Sequence, residues 1–357
     1  MFCNKYKAKT AIITSLILCM ITYSGCKEFY PDVEVFNRSD FPKKALLKGD
    51  ELYLDSLWSA RILYIQDSVI VVVERTRSPF VKLFNVKDGR KIGEYILAGR
   101  GPDELTACSQ FQIDGDWIWA IDMTQNKYLK YRKKEPFNNS FDKPVAAIVF
   151  KDIPMITYPF VIDSNRVVGG RISSDKLLTS YDLEKQGIDT TIDIPYPFDI
   201  KGRGLHTWQS FEHRLSADRD HIYVAYCYTD LIDIYDKTGS LVRRLFGPDH
   251  FMPEFEIVKV GDQGVRDRPG EKSRFSYISP VMTKDGLMVL YNGRLMSDDN
   301  YLLTQLFLFS AFGEPLVEFS LDPPIFNFCV DDAIKRIYGL TDSPDYQVIC
   351  YDYGEYL

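Results

Sequence analysis

Six times along the chain an apolar strand of five residues returns, and that recurrence limits the folds open to it more than any other feature. The copies are Val69-Ile70-Val71-Val72-Val73, Trp117-Ile118-Trp119-Ala120-Ile121, Arg166-Val167-Val168-Gly169-Gly170, His221-Ile222-Tyr223-Val224-Ala225, Leu287-Met288-Val289-Leu290-Tyr291 and Arg336-Ile337-Tyr338-Gly339-Leu340. With Ile70, Ile118, Val167, Ile222, Leu287 and Ile337 as anchors, the steps are 48, 49, 55, 65 and 50 residues. A step near 50 suits four-stranded propeller blades with insertions in two places. A β-sandwich with an appended domain, the competing fold, has no reason to return six times at such a step.

The fullest copy is Asp220 to Leu245, DHIYVAYCYTDLIDIYDKTGSLVRRL, two or three short strands with Asp236-Lys237-Thr238-Gly239 as a turn tetrad. A unit of that size cannot bury its apolar faces alone, so it must stack on others like it. After most anchors a second strand and a turn lead into a third: Lys82 to Val86 before Asp88-Gly89, Leu177 to Leu183 before Lys185-Gln186-Gly187, Ile232 to Tyr235 before Thr238-Gly239, and Leu306 to Phe309 before Phe312-Gly313-Glu314. The chain ends on such a strand, Tyr346 to Tyr351. Closing a ring therefore needs a strand from the other end, and Ala45-Leu46-Leu47 or Glu51-Leu52-Tyr53-Leu54 supplies it. The expectation is an all-β chain, a six-bladed β-propeller closed by an N-terminal strand, occupying residues 43–357 as one domain. Forty-six phenylalanines and tyrosines, 23 of each, fit pleated surfaces.

The formal net charge of -7 argues against a nucleic-acid partner, which needs a basic face to displace counterions. Residues 1–25 have the layout of an export signal, with Lys5, Lys7 and Lys9 ahead of an apolar run from Ala11 to Ile21 that is too short to span a bilayer comfortably. The run ends in Tyr23-Ser24-Gly25-Cys26, which resembles the lipobox of bacterial lipoproteins, with Tyr23 where an aliphatic residue is usual. The resemblance implies that Cys26 is acylated and becomes the mature N-terminus, held on a membrane by fatty chains. A free secreted protein and a signal anchor are the other readings of this segment. Lys27 stands where an inner-membrane retention signal has Asp, so the implied address is the outer membrane, and residues 26–42 read as a tether.

Leu97-Ala98-Gly99-Arg100-Gly101-Pro102-Asp103-Glu104-Leu105 resembles the blade-crossing turn GxGxGPxEF of TolB-like and NHL-like six-bladed propeller lipoproteins, with Leu97 and Leu105 departing from the pattern. Phe246-Gly247-Pro248-Asp249-His250-Phe251 is similar to a degraded second copy. That family implies a propeller in the bacterial envelope and does not imply a reaction.

Candidate binding residues are sparse. Arg100, between two glycines, offers charge near the mouth of the ring, although a turn with solvated charges explains the motif as well. His206 and Trp208 lie in a segment, with His213 nearby, that would present aromatic and polar surface to a sugar or peptide. Arg274 joins Arg266, Arg268 and Lys272 in a long loop suited to an acidic ligand, or merely to solvent. Neither the histidine spacing nor Asp298-Asp299-Asn300 matches a metal loop, no CxxC pair occurs, and nothing calls for a cofactor. Cys329 and Cys350 read as lying in neighbouring strands of the last repeat, which suits either a disulfide in an oxidising compartment or two buried thiols. No GxSxG, HExxH or P-loop is present. The leading expectation is a lipid-anchored binding or scaffold protein for a peptide, glycan or protein partner. The alternative is a hydrolase or lyase acting on a carbohydrate or lactone through axial carboxylates, and a purely structural envelope subunit is a third.

Overall fold

The computed structural model describes residues 33–55, 57–171, 174–197, 212–259, 265–298 and 301–357. Six antiparallel blade sheets follow one another along the chain, and a two-stranded hairpin, Phe255–Lys259 with Val265–Pro269, stands between the fourth and fifth, in the stretch expected as a long loop. Blade 1 holds Ala60–Gln66, Val69–Glu74, Val81–Asn85 and Lys91–Tyr95; blade 2 holds Gln110–Asp114, Trp117–Asp122, Lys127–Arg132 and Ala146–Val149; blade 3 holds Ile156–Val161, Arg166–Arg171, Lys176–Asp182 and Gly187–Pro195. Blade 4 holds His213–Ala217, His221–Tyr226, Leu231–Asp236 and Leu241–Phe246; blade 5 holds Tyr277–Thr283, Gly286–Tyr291, Leu303–Phe309 and Pro315–Ile325; blade 6 holds Asn327–Asp331, Arg336–Thr341 and Gln347–Asp352. The first strand of each blade touches the first strands of both neighbours, so the six make a closed ring around a channel.

All six anchors fall on the second strand of a blade, and burial explains why those strands were so conspicuous. A second strand lies between two adjacent sheets and sends alternate side chains into each interface. Val71 and Val73 enter the cluster between blades 1 and 2, whereas Ile70 and Val72 enter the cluster between blades 6 and 1. Tyr223 and Ala225 pack toward blade 5 while Ile222 and Val224 pack toward blade 3. The outcome is a run with no polar face. The predicted hairpin turns join third to fourth strands: at Gly239, φ is +86°, and the carboxylate of Asp236 accepts from the N–H groups of Thr238 and Ser240.

The N-terminal segment does more than close the ring. Asp50–Leu52 pairs with Gln347–Asp352 and completes blade 6, at the second of the two predicted sites. The first, Ala45-Leu46-Leu47, lies within Lys43–Lys48, which adds a parallel fifth strand to blade 5. Glu34–Val35 adds a parallel strand to blade 4. The body thus begins before residue 43, inside the stretch expected as a tether, because Phe36 and Phe41 are buried in the interface of blades 4 and 5. No apolar alternation marks so short a strand. A further difference concerns Cys329 and Cys350, which are free thiols, both paired in register with Tyr338 of the strand between them. Two strand spacings, roughly 9.5 Å, exceed the Cα separation a disulfide spans.

First strands of neighbouring blades splay apart, so their backbone groups need partners other than a ladder. Side chains supply them. Asn327 Oδ1 accepts from the Leu63 N–H at 2.9 Å and its Nδ2 donates to Ser279 Oγ at 3.0 Å, joining blades 5, 6 and 1. Tyr64 donates to the Phe111 carbonyl at 2.5 Å, Gln112 exchanges two hydrogen bonds with Val161, and Ser216 Oγ accepts from the Met282 N–H at 3.0 Å. Between blades 3 and 4 the link is the Arg214 guanidinium lying 4.1 Å from the Tyr158 ring centre. Replacing Asn327 by Ala is expected to lower stability by about 1–3 kcal/mol, because the Leu63 N–H loses its acceptor. An unchanged urea midpoint in N327A would refute this role.

Candidate functional site

The channel encloses about 1750 Å³ and has two chemically distinct mouths. First strands begin at one mouth and turn back into second strands at the other. The first mouth therefore collects the residues that open each first strand and those that follow each second strand.

At that mouth three arginines converge. Arg61 opens the first strand of blade 1, Arg75 follows the second strand of the same blade, and Arg214 sits on the first strand of blade 4 across the ring. Arg214 is neutralised by Glu212, at 2.8 Å, and stacks on Tyr158. Among the described residues, the side chains of Arg61 and Arg75 have neither an ion pair nor a hydrogen bond. Burial lowers the pKa of Arg61, and repulsion from Arg75 and Arg214 adds to that, against weaker attraction from Tyr346 and Glu212. Among the described residues that line this mouth, three guanidinium groups stand against the one carboxylate of Glu212, in a chain whose net charge is -7.

Aromatic rings share the wall. Tyr158 is held at φ +48° by a bulge in Ile156–Val161 just before Pro159, a conformation that a bulky residue rarely adopts. The bulge re-aims it onto Arg214. Its phenol is pushed above the ordinary range by burial, with Glu212 adding to the effect and Arg214 opposing it. Tyr228 and Phe275 lie tilted against each other by 31°, with ring centres 5.7 Å apart, and both line the channel.

The opposite mouth is rich in aspartate. Asp114 ends the first strand of blade 2, Asp163 and Asp218 stand in the turns between first and second strands of blades 3 and 4, and all line the channel with Lys237. Two of them are occupied with their own turns. Asp163 accepts from the N–H groups of Asn165 and Arg166 and from the Arg166 guanidinium, which outweighs burial and lowers its pKa. Asp218 accepts from Asp220, His221 and the Tyr223 hydroxyl and is likewise lowered despite burial. Asp114 is raised by burial and by Asp163, with Lys237 opposing. Among the described residues no group of three His, Cys, Asp or Glu side chains is placed to hold a metal.

Residues singled out from the sequence sit elsewhere or beyond view. Arg100 is exposed in the turn between blades 1 and 2 and is not part of the channel wall. That turn is held internally: Glu104 accepts the Gly101 N–H at 2.8 Å, Lys127 donates to the carbonyls of Gly101 and Glu104 at 2.6 Å, and a Cβ on Gly99 would fall 1.8 Å from the Glu104 carboxylate. Arg274 is exposed on the rim, donating to the Gly293 carbonyl and covering the Phe251 ring, beside channel-lining Phe275. His206, Trp208 and Cys26 lie outside the described residues. Arg61, Arg75, Arg214 and Tyr158 went unremarked. A positional signal for them exists, since Arg61, Tyr158 and Arg214 each precede the anchor of their own blade by eight or nine residues.

Six four-stranded blades around an open channel define a β-propeller of the six-bladed class. The description "TolB-like 6-blade propeller-like" matches residues 37–333, and the chain belongs to that family. Among solved structures it is similar to a protein from Bacteroides fragilis described as exported, at 11% identity and a TM-score of 0.54, covering 89% of this chain and 98% of that one. A member of the DUF4221 family from Bacteroides vulgatus follows at 11% identity and a TM-score of 0.49, over 85% and 95% of the two chains. At such identities the likeness is one of fold. No curated protein matches the sequence.

Proposed function

We propose that this chain is an exported, lipid-anchored binding protein of the bacterial envelope that takes a peptide, glycan or protein partner at the arginine-lined mouth of its channel. Six-bladed propellers commonly act as binding or scaffold domains, and rigid rings place variable residues around one cavity. The observation that carries the reading is the pair of guanidinium groups, Arg61 and Arg75, without an ion-pair partner among the described residues, beside an aromatic wall in a cavity of about 1750 Å³. Export and anchoring draw on Lys5, Lys7, Lys9, the apolar run and Cys26, and outer-membrane residence draws on Lys27.

Two measurements test this. Metabolic labelling with palmitate should mark the mature protein and leave Cys26→Ser unmarked; an unlabelled wild type would end the lipid argument. Material captured from detergent-solubilised envelopes should be retained by the wild type and lost from a Tyr228→Ala, Arg214→Ala variant that keeps its melting temperature within a few degrees. Equal capture by both would move the partner off this mouth.

The hydrolase or lyase alternative would draw on the aspartate mouth, where Asp114, whose carboxyl burial raises, and Asp163, which its own turn holds low, both line the channel. Turnover of a lactone or glycan that disappears in Asp114→Asn would establish it.

A further inference from the structure

Resting on the reading of this mouth as a binding site, we infer that its ligand is an anionic saccharide whose carboxylate or sulfate sits between Arg61 and Arg75. Charge comes first. The two guanidinium groups belong to one blade, have no acidic partner among the described residues, and face Arg214, whose own charge Glu212 already balances. An anion placed there gains forked, charge-assisted hydrogen bonds from two guanidinium groups that stand exposed at the mouth.

Shape and wall chemistry separate a saccharide from a peptide. One mode by which extended peptides bind sheets is to add to a free strand edge. Here the first-strand edges around the channel are already engaged by the side chains of Asn327, Gln112, Ser216 and Tyr64, which leaves no continuous ladder to extend. The wall is mixed: the aromatic pair Tyr228 and Phe275 for the apolar side of a sugar, and the hydroxyls of the exposed Thr76 and Thr124 for its hydroxyl groups. Alternating ring faces and short polar side chains suit a ligand that is hydroxylated on its edges and apolar on one face.

Calorimetric titration of the full-length protein in detergent tests this with four probes: an oligogalacturonate for carboxylate, a chondroitin sulfate oligosaccharide for sulfate, a neutral oligosaccharide of equal length, and an acidic peptide. At least one acidic saccharide should bind, more weakly as salt is raised, and the one that binds identifies the anion. Arg61→Glu with Arg75→Glu should weaken it by about tenfold or more. Lys87→Glu with Lys143→Glu, which makes the same change in net charge at exposed positions outside the channel, should not. Stronger binding of the neutral saccharide or of the peptide, insensitivity to the arginine reversals, or no binding of either acidic saccharide would each overturn the inference. A partner captured through the Tyr228 and Arg214 mouth would in those cases still stand, so the two proposals fail separately.

Discussion

Arg244→Met is expected to lower the stability of the protein by about 3–5 kcal/mol, the range for removing one partner of a buried ion pair. Asp233 lies in the third strand of blade 4 with a side chain 0% exposed. Its Oδ1 accepts from Arg244 Nε at 2.7 Å, and its Oδ2 accepts from a terminal Arg244 nitrogen at 2.9 Å and from the hydroxyls of Tyr226 and Tyr235 at 2.9 and 2.8 Å. With methionine at 244 the carboxylate keeps two phenols and loses its only opposite charge among the described contacts. It must then take up a proton or stay charged without compensation. Adding Asp233→Leu removes the stranded charge, so the double variant should recover part of the loss even though two phenols lose an acceptor. Chemical denaturation followed by tryptophan fluorescence measures both. A loss below about 1 kcal/mol in the single variant would mean that water reaches Asp233.

Blade 4 also shows how far the residues announce the fold. Its second strand was plain in the sequence, since a strand buried on both faces contains no polar side to interrupt it. Its third strand, Leu231–Asp236, was readable as a strand, but nothing in Leu231-Ile232-Asp233-Ile234 marks Asp233 as buried. That depends on Arg244 reaching it from the adjacent strand. First strands are the least legible, because one side faces a watered channel and the other side must supply links to a neighbouring blade. Gln110-Phe111-Gln112-Ile113-Asp114 has the mixed character that results. The binding mouth inherits the difficulty. Arg61 and Arg214 are far apart in the chain and meet only because the ring places the starts of first strands together. Arg100 drew attention through its flanking glycines, and those glycines serve the approach of the Glu104 carboxylate. Counting back from each anchor to the first strand recovers the mouth, but only once the ring is known.

Phe41→Ala is the second large effect, about 3–5 kcal/mol, the range for emptying a buried aromatic site. Phe41 is 3% exposed, stacks on Phe307 with ring centres 4.8 Å apart, and meets Phe309 edge-on at 5.4 Å. Phe36 reaches the same Phe309 ring, and its carbonyl is bonded to the ring of His250 at 2.9 Å. These contacts fasten the segment that lays strands on the outer edges of blades 4 and 5 before completing blade 6. Releasing it uncovers unpaired backbone along Leu241–Phe246 and Pro315–Ile325, edges open to pairing with another chain. The loss should therefore be local. Amide exchange in F41A should rise first along those two strands and along Gln347–Asp352, which pairs with Asp50–Leu52, while blades 2 and 3 keep their protection. Uniform loss around the ring would show that the propeller opens as one unit whatever its outer strands do. Unchanged exchange at Pro315–Ile325 would show that Lys43–Lys48 holds that edge without Phe41.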